Sequence, residues 1–163
     1  MKDNSLNSRI PAYKKALANQ GIQATYQDLV TMVQKLRTQF AQTYEGKFTV
    51  AKVMHGYIDF TYFYLQNDYL KNRKLKLGVV LNHQQAHFEL WLLGQTKNVQ
   101  TDYWQKLRTS MWVNGEQMPE YSIFETVLLK NHNFDDFEQI AKSICDSFDS
   151  ISNEIFTTLQ SLK

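Results

Sequence analysis

One cysteine, two prolines and six glycines are all that the 163-residue chain contains. With Cys145 alone, no intramolecular disulfide can form, and a lone thiol suits a reducing compartment. So little glycine and proline excludes a collagen-like chain or a low-complexity linker. The glycines are scattered, so no Gly-rich loop is present to cradle a phosphate. A Gly-x-Ser-x-Gly elbow, which would expose a serine nucleophile, is also missing. Long apolar runs are absent too. Leu90–Leu93 is typical of the longest, far short of the roughly 20 residues that a membrane helix needs. Residues 1–20 are polar and lack the apolar segment of a signal peptide. The expectation is a cytoplasmic protein with no membrane partner.

What is abundant is aromatic: 10 Phe, 9 Tyr and 3 Trp in a chain that is 43% hydrophobic, enough to build a core. The net charge of +2 names no partner, but it is unevenly placed. Residues 1–112 carry a net +8 and residues 113–163 a net −6. The plain reading is an acidic C-terminal segment packed beside a basic body. The functional reading is a polyanion site, for which Lys71, Arg73, Lys74 and Lys76 form the densest cluster.

Residues 1–9 are polar and predict a flexible N-terminus, with residues 10–163 as a single domain. Pro11 suits a helix start and Gly21 its end. Thr25 opens a second helix whose stripe is Tyr26, Leu29, Val30, Val33, Leu36 and Phe40, ending near Gly46. Phe48–Leu65 reads as one long bent strand or two, with Gly56 as the bend. A polar connector, Gln66–Arg73, follows. Lys74–His83 and Ala86–Leu93 read as a hairpin turning at Gln84-Gln85. Asn98 opens another helix, residues 113–120 read as a loop, and Ser122–Leu129 as a further strand. Asn133–Asp136 caps a long helix with a stripe from Phe137 to Leu162, which Ser150, Ser152 and Asn153 could divide. The order α-α-β-β-β-β-α-β-α gives an α+β class: an antiparallel meander of three to five strands flanked by helices, with a long C-terminal helix.

Strand parity carries the functional reading. Leu75, Leu77, Val79 and Leu81 share one face, as do Phe88, Leu90 and Leu92. A two-residue turn pairs Leu81 with Phe88 and Val80 with Glu89, which puts both sets on one dry face. Upstream, Ile58, Phe60 and Tyr62 alternate with Tyr57, Asp59, Thr61 and Phe63. With the first of those sets inward, the opposite face gathers Tyr57, Asp59, Thr61, Lys76, Asn82, His87, Glu89 and Trp91. Two carboxylates, a lysine, an imidazole and two aromatics on one surface are a candidate ligand site. The plain alternative is an ordinary solvent face, or one covered by the last helix.

Known chemistries fit that set poorly. His83 and His87 are four apart, but their parities oppose. His87, Glu89 and Asp59 lack a second histidine on the face, so no metal site and no cofactor is assigned. Cys145, between Ile144 and Phe148 on the apolar stripe, reads as a core thiol. Tyr57, Phe63 and Trp91 could stack on a planar ligand.

The order of helix, antiparallel meander, helix and strand is similar to the core of the PD-(D/E)xK nucleases. That resemblance implies an Asp and a Glu-x-Lys. Asp59 and Glu89 match the acids, but Trp91 stands where the lysine belongs, leaving only Lys76 as a displaced substitute. A second resemblance is wider. Gly56-Tyr-Ile-Asp-Phe-Thr-Tyr-Phe63, Phe88-Glu-Leu-Trp-Leu-Leu-Gly94 and Val99-Gln-Thr-Asp-Tyr-Trp104 resemble a family of small uncharacterised bacterial proteins, over about Tyr13 to Leu129. It implies a bacterial cytosolic protein, and transfers no activity. The leading reading is therefore a non-enzymatic binding or interaction domain whose partner is a small molecule, a protein or a second copy. The alternatives are a metal-assisted, nuclease-like hydrolase using Asp59, Glu89 and Lys76, and a polyanion binder using Lys71–Lys76, with nucleic acid the less favoured partner.

Overall fold

The computed structural model describes residues 4–162. The chain divides into two compact units, Met1–Met32 and Val33–Lys163. The first contains helix α1 (Leu6–Leu17) and the beginning of α2 (Gln20–Thr43). Ser5 caps α1 by accepting from the Ser8 amide at 3.3 Å, so helix starts within the stretch for which the sequence predicts fraying. Residues 1–3 of that stretch lie outside the described residues. Pro11 lies inside α1 and not at its start. Gly21 belongs to α2, its amide tied to Asn19 Oδ1 at 3.1 Å.

The second unit holds the sheet. Strands β1 (Thr49–Val50) and β2 (Met54–His55) both pair with β3 (Phe60–Gln66). Then come the short helix α3 (Asp68–Asn72), strands β4 (Leu75–Asn82) and β5 (His87–Gly94), helix α4 (Lys97–Lys106), strand β6 (Phe124–Leu129) and helix α5 (Phe137–Ser161). The sheet is six-stranded and antiparallel, in the order β1-β3-β4-β5-β6 with β2 also on β3. The class is α+β in the expected order. The strand count exceeds expectation because the Phe48–Leu65 segment folds into three pieces. The connector after it winds into α3, capped by Asn67. Helix α5 is continuous through Ser150, Ser152 and Asn153; Ser152 is buried and its hydroxyl lies near the Asp149 carbonyl, at 3.5 Å.

The hairpin register is the expected one: Val80 opposes Glu89 and Leu81 opposes Phe88. The loop between Asn82 and His87 has four residues, the same even parity as two, with Ala86 at φ +51°. One face is dry. Leu75, Leu77, Val79, Leu81, Phe88, Leu90 and Leu92 are all buried there. The second half of α2 and helix α5 are packed with it: Phe40 meets Phe63 at 5.4 Å and Phe148 at 5.1 Å. The Tyr44 hydroxyl donates to Asp149 at 2.8 Å, tying the turn after α2 to α5.

Strand β3 has the opposite parity to the one expected. Thr61, Phe63 and Leu65 are fully buried on the dry side, and Phe60, Tyr62 and Tyr64 face the other way. Phe63 and Leu65 carry no polar atom, whereas the tyrosines can keep their hydroxyls near water. Thr61, expected among the site residues, is thus a core residue at 0% exposure, its hydroxyl bonded to His83 Nε2 at 2.7 Å.

Gly94 ends β5 where α4 begins. A methyl there would lie 2.6 Å from the Gln100 amide nitrogen and 3.0 Å from its Cα, backbone atoms that cannot swing aside as a flexible side chain can. Gln100 is buried and its side-chain amide donates to the Ser122 and Pro119 carbonyls at 2.7 and 2.9 Å. Gly94→Ala is expected to cost about 1–3 kcal/mol through overpacking, read as a lower midpoint in urea with an unchanged slope.

Candidate ligand pocket on the second face of the sheet

The second face is more apolar than a solvent-facing sheet. Val80, Trp91 and Leu93 are buried on it, with Phe60, Tyr62 and Tyr64 packed against them. Phe60 meets Trp91 edge to face at 4.9 Å, and Tyr62 lies 5.2 Å from Tyr64. Directly opposite Tyr64 stands Gly78, where a methyl would already press on Leu93 at 3.2 Å. That small residue leaves space beside the ring. A pocket of about 430 Å³ opens here, lined by His55, Gly56, Tyr57, Asp59, Phe60, Tyr62, Tyr64, Lys76, Val80, Trp91, Leu93, Gly94 and Tyr121. Every one of these belongs to the Val33–Lys163 unit.

Its rim is the turn from Gly56 to Asp59. The Gly56 amide donates to the Phe60 carbonyl at 2.8 Å. Asp59 Oδ1 accepts from the amides of Tyr57 and Phe60, both at 2.7 Å. Tyr57 and Asp59 therefore reach the pocket from a turn, not from a strand face as the sequence pattern suggests. Ile58 sits at φ +65°, a strained geometry for a β-branched residue. Tyr57 is 95% exposed.

Lys76 rises from β4 into the wall, half-buried. Its ammonium lies 3.8 Å from the centroid of the Tyr64 ring. Among the described residues it has no ion pair and no hydrogen bond. Burial pushes its pKa below the ordinary lysine value. The Tyr64 hydroxyl is pushed up, by burial first and by Tyr62 second. The other basic candidates lie elsewhere. Lys71, Arg73 and Lys74 are exposed in α3 and the turn after it, and Arg73 stacks on Tyr69 at 3.6 Å.

The remaining candidates form a hydrogen-bonded cluster beside the pocket and do not line it. Glu89, only 8% exposed, accepts from the Trp91 indole at 2.8 Å through Oε2. Its Oε1 bonds His87 Nε2 at 2.7 Å and accepts from the Asn82 amide at 3.3 Å. The face thus gathers Lys76 and Trp91 in the pocket, with Asn82, His87 and Glu89 behind Trp91. Glu125, opposite Trp91, has its carboxyl pushed up by burial and by Glu89, against a hydrogen bond from Ser122 at 2.9 Å. Among the described residues, no three His, Cys, Asp or Glu side chains are grouped to hold a metal ion.

Sequence reasoning missed Phe60, Tyr62, Tyr64, His55 and Tyr121. The available signal was the pair Tyr62 and Tyr64 set against Phe63 and Leu65. With Leu65 counted in the alternation, the tyrosines fall on the wetter face.

Residues 6–159 match the model of a domain of unknown function, DUF7000, and the chain belongs to that family. No curated protein and no solved structure matches it.

Two expectations test this geometry. Removing the Glu89 carboxylate strands the Trp91 indole, the Asn82 amide and His87 in a buried place. Glu89→Ala should therefore cost roughly 3 kcal/mol and shift the Trp91 fluorescence emission. His132 lies between Phe88 and Phe134, and neither of its ring nitrogens has a hydrogen-bond partner among the described residues. Burial, then the charge of His87, pushes its pKa below the ordinary value of 6.5. The unfolded chain takes up this proton first, so stability is full above about pH 6.5 and falls on acidification below it. His132→Leu should flatten the fall in melting temperature between about pH 7.5 and 5, and should match or exceed wild-type stability at the upper end of that range.

Proposed function

We propose that this domain is a non-enzymatic binding module that holds a small ligand with a flat, apolar body in the pocket over β3, β4 and β5. The carrying observation is a concave site of about 430 Å³ whose floor is the cluster Phe60, Tyr62, Tyr64, Val80, Trp91 and Leu93. That volume lies in the range of small-molecule pockets, which are mostly apolar with a few placed polar groups. Ring faces give a planar ligand stacking area at little entropic cost. Glu89 then acts as a positioning residue, because its bond to the indole fixes the plane of Trp91.

The hydrolase alternative is less well supported. Asp59 Oδ1 is engaged by the amides of its own turn, and both oxygens of Glu89 are engaged by side chains. Glu89 does not border the pocket that Asp59 borders. The polyanion alternative loses Lys76, which stands in an aromatic wall and not among the exposed lysines. A cytoplasmic setting accords with the single cysteine, whose thiol pKa is pushed up by burial. No helix among the described residues is long and apolar enough to cross a membrane.

Indole and phenol serve as planar probes. In titrations of the ¹⁵N-labelled protein, they should shift the Trp91 indole N–H and the Gly94 amide. Tyr62→Ala should weaken indole binding about 3- to 10-fold with melting behaviour retained, the worth of one aromatic contact. Met111→Ala, exposed and outside the pocket, should change nothing. Shifts confined to other surfaces, or an unaltered affinity in Tyr62→Ala, would overturn the reading.

A further inference from the structure

Building on the pocket reading, we infer that the ligand is a monoanion whose carboxylate is bound by the Lys76 ammonium, with its flat body on the aromatic floor. Among the described residues, Lys76 is the only lysine or arginine that lines the pocket. It is half-buried and faces the Tyr64 ring at 3.8 Å. Among the described residues it meets no carboxylate. Most long cationic side chains lay their stem on apolar surface and carry the charge out to water. Here the charge of a half-buried lysine lies over the face of Tyr64. A desolvated cation costs free energy until an anion or a hydrogen-bond acceptor meets it.

Charge balance narrows the class to monoanions, and the carboxylate is the monoanion proposed. A phosphate monoester carries close to two negative charges near neutral pH and is usually met by several cationic or amide donors. The pocket offers one ammonium, and its rim carries the Asp59 carboxylate, which opposes a second negative charge. Lysine also binds as a point charge and not as the two-pronged fork by which arginine grips a phosphate. Tyr62 and Tyr64 line the same site, and their hydroxyls can donate to the remaining carboxylate oxygen. The aromatic floor sets the body of the ligand, and Lys76 sets its charge.

The test uses three probes: indole-3-carboxylate, its neutral amide indole-3-carboxamide, and phenyl phosphate. Affinities come from heteronuclear NMR titration of the full chain. The carboxylate should bind about tenfold more tightly than the amide, as a charge-assisted hydrogen bond does against a neutral one. Lys76→Met should bring the two to the same affinity, and Lys76→Arg should keep the preference for the carboxylate. Equal wild-type affinities for carboxylate and amide, both shifting the Trp91 indole, would sink the charge assignment and leave the pocket reading standing. No shift of Trp91 by any probe would sink both. Tighter binding of phenyl phosphate than of the carboxylate would overturn the monoanion assignment. The wild-type comparison needs no variant to fold, so the inference stays testable if Lys76→Met does not.

Discussion

Burial of the β4–β5 hairpin on both faces is the constraint from which the rest follows. Antiparallel sheets often leave one face wet, and polar side chains then alternate cleanly with apolar ones. Here six consecutive residues of β5, Phe88 to Leu93, are buried, and so are Leu77 to Leu81 in β4. The dry face, filled by leucines and by Phe40 and Phe148 from the helices, fixes the register, because a slip of one residue would turn every leucine outward. Once that face is set, the pleat dictates what stands on the other: Lys76, Gly78, Val80 and Asn82 opposite Leu93, Trp91, Glu89 and His87. The pocket is thus a geometric consequence of a core it does not touch.

A carboxylate on that second face carries a cost. Taking Glu89 out of water would cost several kcal/mol if it were unpaired. Three side chains, His87, Asn82 and Trp91, bond it and offset that cost. An apolar residue would fill the space without such compensation, so what the carboxylate adds is orientation. The indole N–H of a buried tryptophan needs an acceptor, and placing that acceptor two residues away on the same face fixes the ring plane toward Phe60. His132 shows the opposite case: a half-buried imidazole whose shielded nitrogens have no hydrogen bond among the described residues, and whose burial favours the neutral form.

The hairpin and its register were legible in the sequence because only one parity of β4 and β5 is wholly apolar. Strand β3 was not, since Phe60, Tyr62 and Tyr64 alternate with Thr61, Phe63 and Leu65 and both sets are greasy. Parity there is decided by tertiary packing: Phe63 against Phe40 on one side, Tyr64 over Gly78 on the other. The bend at Gly56 was legible, but the extent of the turn to Asp59 was not, because its aromatic and β-branched residues have strand propensity. The Asp59 carboxylate, holding two amides, overrides that preference and lets Ile58 adopt a left-handed backbone. Lys76, Trp91, Tyr57 and Asp59 do border the pocket, but the last two reach it from a turn that strand parity could not foresee. Thr61 went to the core for the same reason that β3 as a whole was misread: a hydroxyl with a partner of its own can be buried like a valine.

Lys76 stands in the pocket wall between two opposed effects. Contact with the face of Tyr64 contributes roughly 0.5–2 kcal/mol, at the upper end only when the pair is desolvated. Partial desolvation of the ammonium acts against it and pushes its pKa below the ordinary lysine value. A methionine in the same place would fill the wall without that penalty, so packing alone does not account for a lysine. A site that holds an incompletely compensated cation binds a neutral ligand no better for having it, but gains on meeting an anion because the cost was already incurred before binding. Preorganised charge of this kind gives discrimination in place of stability, and on the proposed reading the selectivity of the pocket would reside in β4, in the paired hairpin, instead of in the strained turn at its rim.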